Sequence, residues 1–207
     1  MTKSLRFALL SFVIAGFTTG IVAAQKKSEG SMQCREYREN DRLSSHCEIK
    51  EQTLPAGGTI TVDGKTNGGI SIKGWERNEI LVRAKIETRA PTQAEADQLA
   101  GAVRIETAAL NIRAEGPVPR DDYQWYVSYE IFVPRKSDLS LQAHNGGISL
   151  TDVNGRIDFK TTNGGVNLVR VGGNVQGNTT NGGVNVVLTG ARWDGEELNI
   201  TSALVFR

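Results

Sequence analysis

The feature that most constrains this chain is a short motif, Asn-Gly-Gly followed by Ile or Val, which stands at 67–70, 145–148, 163–166 and 181–184. The last three copies are 18 residues apart. Cut every nine residues, that stretch reads NGGISLTDV from Asn145, NGRIDFKTT from Asn154, NGGVNLVRV from Asn163, GGNVQGNTT from Gly172 and NGGVNVVLT from Asn181. The second position is always Gly, and the fourth is always β-branched: Ile148, Ile157, Val166, Val175, Val184. The sixth is apolar except at Gly177. Such a period marks stacked units, each too small to bury its own apolar face.

Each unit reads as a turn plus a short strand. Asn-Gly supplies residues that tolerate positive φ, and positions four and six share one face of the strand. The structural turns are therefore Asn67, Gly68 and Gly69; Asn145, Gly146 and Gly147; Asn163, Gly164 and Gly165; and Asn181, Gly182 and Gly183. With two units per coil, Asn145, Asn163 and Asn181 form a ladder and Val166 lies over Val184, coils being about 4.8 Å apart. Each fully buried Ile, Val or Leu contributes about 1.5–3 kcal/mol. The expected class is all-β, a single-stranded β-solenoid of nine-residue half-coils. An antiparallel meander turning at Asn-Gly fits the 18-residue superperiod too. It would leave one sheet face uncovered, and the sequence offers no second apolar set to cover it.

Upstream the pattern is looser. Ile60/Val62, Ile70/Ile72 and Ile80/Val82 are pairs spaced by ten, with turns at Gly57-Gly58 and at Asn67-Gly68-Gly69. Thr92 and Glu95 have capping-box spacing, and Ala94, Leu99, Ala102 and Val103 form an apolar stripe, which predicts one short inserted helix over 92–103. Strand resumes at Leu110–Ile112, a loop follows at PVPRDD (117–122), and Gln124–Val133 is expected to be the longest strand. In it Trp125, Val127, Tyr129, Ile131 and Val133 share one face, and Tyr126, Ser128, Glu130 and Phe132 the other. Leu139 and Leu141 then enter the nine-residue phase.

Residues 1–24 carry Lys3 and Arg6, an apolar core and a Val22-Ala23-Ala24 cleavage site, which reads as a secretory signal peptide. The competing reading is a retained anchor, since Phe7–Ala24 is uncharged but barely long enough to span. Export, to periplasm, cell surface or medium, makes a Cys34–Cys47 disulfide the favoured reading, against two free thiols or a metal site using His46. Such a loop closure is worth about 3 kcal/mol by the chain-entropy argument. The charged stretch around it, 26–51, has no apolar period and reads as a solvated linker or loose cap. The organisation is then 1–24 signal peptide, 25–55 charged segment with the disulfide, and 56–207 β-solenoid. Lys and Arg number 24 against 23 Asp and Glu, so no basic field for nucleic acid exists.

At this point ITVDGKTNGGISIKGWERNEILVRAKIE, a helix, a long aromatic strand and serial TTNGGV units resemble the bacterial putative-adhesin family. This is a family of exported β-solenoids of unknown function, related to adhesin-like head domains. The likeness runs from about Ile60 to Asn199, with Gly74-Trp75 and the repeated Thr-Thr-Asn-Gly-Gly-Val at 161–166 and 179–184 as its markers. It implies a single-stranded β-solenoid with a surface or periplasmic binding role, and it brings no agreed catalytic residues. In similar proteins a further coil follows the turn that is here Gly190–Gly195. This chain is expected to stop one coil short, leaving Leu204, Val205 and Phe206 at an edge open to self-association.

The scan for chemistry is mostly negative. HExxH and GxSxG are absent. Gly64-Lys65-Thr66 resembles the tail of a phosphate loop but lacks its glycine, Thr59 standing there, and reads as a β-turn. The repeat turns carry Asn, Ser or Thr where calcium-binding nonads carry Asp. No catalytic residue, cofactor or metal ligand is assigned, and the chain is expected to be a non-enzymatic adhesin-like or envelope-associated scaffold. Its partner is unknown, the surface suggesting a glycan or an envelope component. Trp75, Tyr126 and Trp193 are the weak ligand candidates, although a Trp at such a turn more often covers the core end. The rival readings are a carbohydrate-active enzyme using Asp121, Asp122 and Glu130, or a subunit associating end to end.

Overall fold

The computed structural model describes residues 32–34, 42–188, 193 and 195–203. The expected signal peptide and the Leu204–Phe206 edge lie outside the described residues. The strands, in chain order, are β1 (Ser44–Pro55), β2 (Ile60–Asp63), β3 (Ile70–Trp75) and β4 (Glu79–Ala90), then β5 (Arg104–Glu106), β6 (Asn111–Glu115) and β7 (Gln124–Pro134). They continue as β8 (Leu139–Ala143), β9 (Ile148–Thr151), β10 (Asn154–Thr161), β11 (Val166–Val169), β12 (Gly172–Thr179), β13 (Val184–Val187) and β14 (Glu197–Ser202). Among the described residues one α-helix, α1 (Gln93–Ala102), and a single 3-10 turn at Ala108–Leu110 interrupt them. The protein is all-β in class.

The strands form two seven-stranded sheets, ordered β1-β4-β7-β3-β9-β11-β13 and β14-β12-β10-β8-β2-β6-β5. From β8 to β14 the chain alternates between the two, and every pairing among these strands is parallel. Val166 lies beside Val184 on one side and Ile148 on the other, and Ile148 beside Ile70. A meander would have paired neighbouring repeats antiparallel. In the other sheet Ile60, Leu139, Ile157 and Val175 form a matching column. Both columns face inward, and Ile70, Ile148, Ile157 and Val175 are all buried.

The glycines have a different cause from the expected one. Positive φ falls on Gly57, Gly58, Lys65, Ala109 and Leu110, and within the repeat on Asp152, Arg170 and Gly173, none of which belongs to an Asn-Gly-Gly turn. What the second residue of each motif requires is closeness: a Cβ at Gly146 would lie 1.9 Å from the Gly68 carbonyl oxygen, and one at Gly164 would lie 2.0 Å from that of Gly146. The asparagines then form the expected ladder, each amide donating to the previous Oδ1, from Asn145 to Asn67 (2.9 Å), Asn163 to Asn145 (2.7 Å) and Asn181 to Asn163 (2.8 Å). Beneath it the buried hydroxyls of Thr161 and Thr179 donate to the Gly146 and Gly164 carbonyls at 3.0 and 2.9 Å.

Gly177, the exception in the sixth column, sits beside Phe159 in register. A Cβ there would fall 2.5 Å from the Phe159 ring, so one large side chain fills the space of two. Gly177→Leu should therefore cost about 1–3 kcal/mol through overpacking and Phe159→Ala about 3–5 kcal/mol through the cavity. The double variant should lose less than their sum by about 1–3 kcal/mol in urea denaturation. Strict additivity would contradict the packing.

The first half of the chain adds an antiparallel flank. β7 pairs parallel with β3 but antiparallel with β4, and β4 pairs antiparallel with β1. Residues 44–55, expected within a solvated or loosely packed segment, are thus an edge strand of 12 residues. None of them is buried, so the strand shows no apolar alternation; its backbone ladder to β4 holds it instead. β1 and β4, at 12 residues each, also exceed the 11 of β7, expected to be the longest. Cys34 is disulfide-bonded to Cys47 in β1, with Cα atoms 5.7 Å apart. Helix α1 begins at the expected capping box, Thr92 with Glu95, and packs on β1 and β4, where the buried Thr88 hydroxyl donates to the Ala96 carbonyl at 2.8 Å.

Candidate functional site

A cleft of about 610 Å³ is lined by the turn at residues 64–68, the β6–β7 connection at 114–121 and the first half of β7. The turn is tight. Lys65 has φ 51° and donates its amide to Asp63 Oδ1 at 2.8 Å, while the Gly68 amide donates to the Gly64 carbonyl at 3.0 Å. The segment is a turn, as expected for Gly64-Lys65-Thr66, but the bond from Gly68 to Gly64 closes five residues, an α-turn in place of the expected β-turn.

The connection is pinned from three sides. The Trp125 indole N–H donates to the Pro117 carbonyl at 2.8 Å, and Gly116 gives the indole room, since a Cβ there would meet it at 3.1 Å. Arg120 and Tyr123 exchange backbone hydrogen bonds of 2.9 Å, with the Arg120 guanidinium 4.7 Å from the Tyr123 ring centre. The Tyr123 hydroxyl donates to Glu95 Oε1 at 2.6 Å, tying the loop to α1. That bond, followed by those from Thr92, holds the Glu95 carboxyl below the usual range. Val118 stands 84% exposed on the loop.

Tyr129, on the inward face of β7, also lines the cleft, and it is 1% exposed. Among the described residues its buried hydroxyl has no hydrogen-bond partner. Burial, then the charges of Asp63 and Glu115, push the phenol far above its ordinary value, so it is a neutral O–H donor at any physiological pH. Lys65 Nζ stands 3.5 Å from both of those carboxylates, and Arg113 Nε is 3.1 Å from Glu115. Aromatic surface, one neutral donor and a charged rim suit the holding of a compact, mostly uncharged group. A second cleft, also about 610 Å³, lies among residues 56–60 and 134–138, and among the described residues it has no unpartnered buried side-chain atom. No group of three or more His, Cys, Asp or Glu among the described residues is placed to hold a metal.

Of the three sequence candidates only Tyr126 lines the first cleft, its hydroxyl bonded to Gln124 Oε1. Trp75 is engaged on the outer face: its N–H donates to the Glu79 carbonyl at 2.9 Å, its ring lies 5.4 Å from Phe132, and Arg77 stacks on it at 4.9 Å. Trp193 packs against the core and donates to the Gly173 carbonyl at 3.3 Å. Trp125 and Tyr129 were legible only as core-facing residues of a strand. The carboxylates of the rival reading are not brought together. Asp121 lines the cleft and Asp122 meets Arg42 at 2.6 Å, whereas Glu130 is six strand residues beyond Gln124, roughly 20 Å along β7. Paired glycosidase carboxylates stand about 5–9.5 Å apart.

Glu130 instead belongs to a buried ion cluster on the outer face, its side chain 4% exposed. Lys73 Nζ lies 2.6 Å and Arg83 Nη1 2.5 Å from its two oxygens, and the Met32 amide donates at 3.4 Å. Burial alone would raise this carboxyl; Lys73, the Met32 amide and Arg83 outweigh burial, and the group titrates below its usual value.

No family model and no curated protein matches the chain. Among solved structures it is similar to a putative cell adhesion protein from Clostridium sporogenes ATCC 15579, with TM-score 0.38 and 13% identity over 78% of this chain and 96% of that one. It is also similar to a putative adhesin from Parabacteroides distasonis ATCC 8503, with TM-score 0.25 and 8% identity over 75% of this chain and 97% of that one. A third is a putative adhesin from Parabacteroides merdae ATCC 43184, with TM-score 0.24 and 9% identity over 77% and 97%. At these scores and identities the likenesses carry no argument about ligand or activity.

Proposed function

We propose that this chain is an exported, non-enzymatic β-solenoid serving as an adhesin-like or envelope-associated binding scaffold, akin to the putative-adhesin family its repeats resemble. The observation that carries the reading is the parallel register Ile70–Ile148–Val166–Val184, with the chain crossing between two sheets from β8 onward. Stacked coils give extended, rigid faces, the usual form of a recognition surface in repeat proteins. The Cys34–Cys47 disulfide supports an oxidising, extracytoplasmic setting. Among the described residues no helix is long and apolar enough to cross a membrane.

The purified chain should bind saturably to an envelope fraction or to members of a glycan array, and leave the bound glycans chemically unchanged. Absence of binding to both would remove the scaffold reading. Release of cleaved sugar, followed by chromatography, would remove its non-enzymatic part.

A further inference from the structure

We infer that the cleft between the 64–68 turn, the β6–β7 connection and β7 takes the acetamido group of an N-acetylated sugar, with the Tyr129 hydroxyl donating to the acetyl carbonyl. This deepens the scaffold reading and rests on it for the general class of partner, a glycan.

The argument starts from the unmade bond. Tyr129 is 1% exposed, and its hydroxyl finds no acceptor among the described residues. Buried polar groups are nearly always bonded, so an orphan beside a cleft points to a partner that arrives from outside. Its neutral O–H asks for an acceptor. The surroundings decide which kind, because Val127, Trp125 and Pro117 give the cleft an apolar wall, facing the polar turn of Lys65, Thr66 and Asn67. A sugar hydroxyl would bring its own proton and need a second acceptor inside this apolar wall. A carboxylate would carry charge toward Asp63 and Glu115, whose fields already act on Tyr129, while the cations nearby are engaged, Lys65 and Arg113 with those carboxylates and Arg120 on the Tyr123 ring. An acetamido group brings a strong carbonyl acceptor and a methyl that the apolar wall accommodates. The sugar ring would then lie toward the rim, where Glu115, Asp121 and Gln124 offer partners for hydroxyls. The Tyr129 oxygen is closed to water in the empty cleft, so entry needs a small shift of the wall. The Lys65 side chain is suited to it, held across the rim by two long, half-exposed ion pairs of 3.5 Å, while the backbone of its turn stays bonded to residues 142, 144 and 145.

The test uses the full chain, triacetylchitotriose as probe, cellotriose as the same-length control without acetamido groups, and Tyr129→Phe. The wild type should bind the acetylated trimer at least tenfold more tightly than cellotriose, with a change in tryptophan fluorescence from Trp125. Tyr129→Phe should lose tenfold or more in that affinity while its melting temperature stays level or rises, because the hydroxyl it removes has no partner among the described residues. Equal binding of both trimers, no binding of either, or full affinity in Tyr129→Phe would overturn the inference. So would a fall in the variant's melting temperature, which would show the hydroxyl already bonded. Purified peptidoglycan sacculi and a chitin resin, run in parallel, separate an envelope source of the acetylated sugar from an external one. Binding of wild type and Tyr129→Phe to the envelope fraction is measured alongside. If the trimer fails but both proteins still bind that fraction, the cleft is dismissed and the scaffold stands; if neither binds, the scaffold falls as well.

Discussion

Gly164→Ala should lower stability by about 4 kcal/mol or more, while Gly165→Ala should cost well under 1 kcal/mol, a contrast between adjacent residues of one motif readable by urea denaturation. A Cβ at Gly164 meets the Gly146 carbonyl oxygen at 2.0 Å, and that carbonyl accepts the buried Thr161 hydroxyl, so it cannot retreat without breaking that bond. A Cβ at Gly165 meets its nearest atom at 3.6 Å, an ordinary contact. Gly146→Ala should behave like Gly164→Ala, its Cβ meeting Gly68 at 1.9 Å. Equal losses at 164 and 165 would mean that backbone freedom, rather than the close approach of neighbouring repeats, is what these glycines provide.

Glu130→Gln should cost about 3–5 kcal/mol, because it leaves Lys73 without its carboxylate and Arg83 with Glu51 as its remaining acidic partner, both beside a buried neutral amide. The pH dependence follows from the sign of the shift. The folded carboxyl titrates below its unfolded value of about 4.3, so its contribution is complete above that pH and is lost as the pH falls through the lower, folded value. Stability of the wild type, followed by denaturant titration from pH 6 downward, should therefore fall in acid. Glu130→Gln should show a shallower acid decline. The remaining slope comes from other depressed carboxyls, Asp152 among them, which Arg170 holds down through a two-pronged contact at 2.6 Å. An identical acid limb in the two proteins would exclude Glu130 as a source of the decline.

The stacked half of the fold was legible because an 18-residue period writes the same contact several times, and β-branched residues at one position cannot be placed otherwise without exposure. The flank was not. β1 contributes no buried side chain and is held by its backbone ladder to β4, which leaves no trace in a hydropathy pattern. Asn-Gly misled about cause while giving the right place, since it signals a turn whether the glycine is needed for φ or for closeness. The cleft was hidden for a related reason. Tyr129 alternates in phase with Val127 and Ile131, as a core residue does, and only the folded structure reveals that its hydroxyl has no hydrogen-bond partner among the described residues. Tyr126 was found from aromatic content alone, the same signal that also named Trp75 and Trp193, both of which are committed to packing.

The match of Phe159 to Gly177, together with the charge pair Asp152–Arg170, bears on how such a chain avoids assembling wrongly. Turns that share one sequence invite a coil to settle one level too early or too late. Neither pair can form after such a slip: Phe159 would meet a different neighbour, and Leu188 occupies the place that Arg170 fills one 18-residue repeat before. Each level thus carries its own address, and the order of assembly is proofread by size and charge while the repeated turns supply only the pitch.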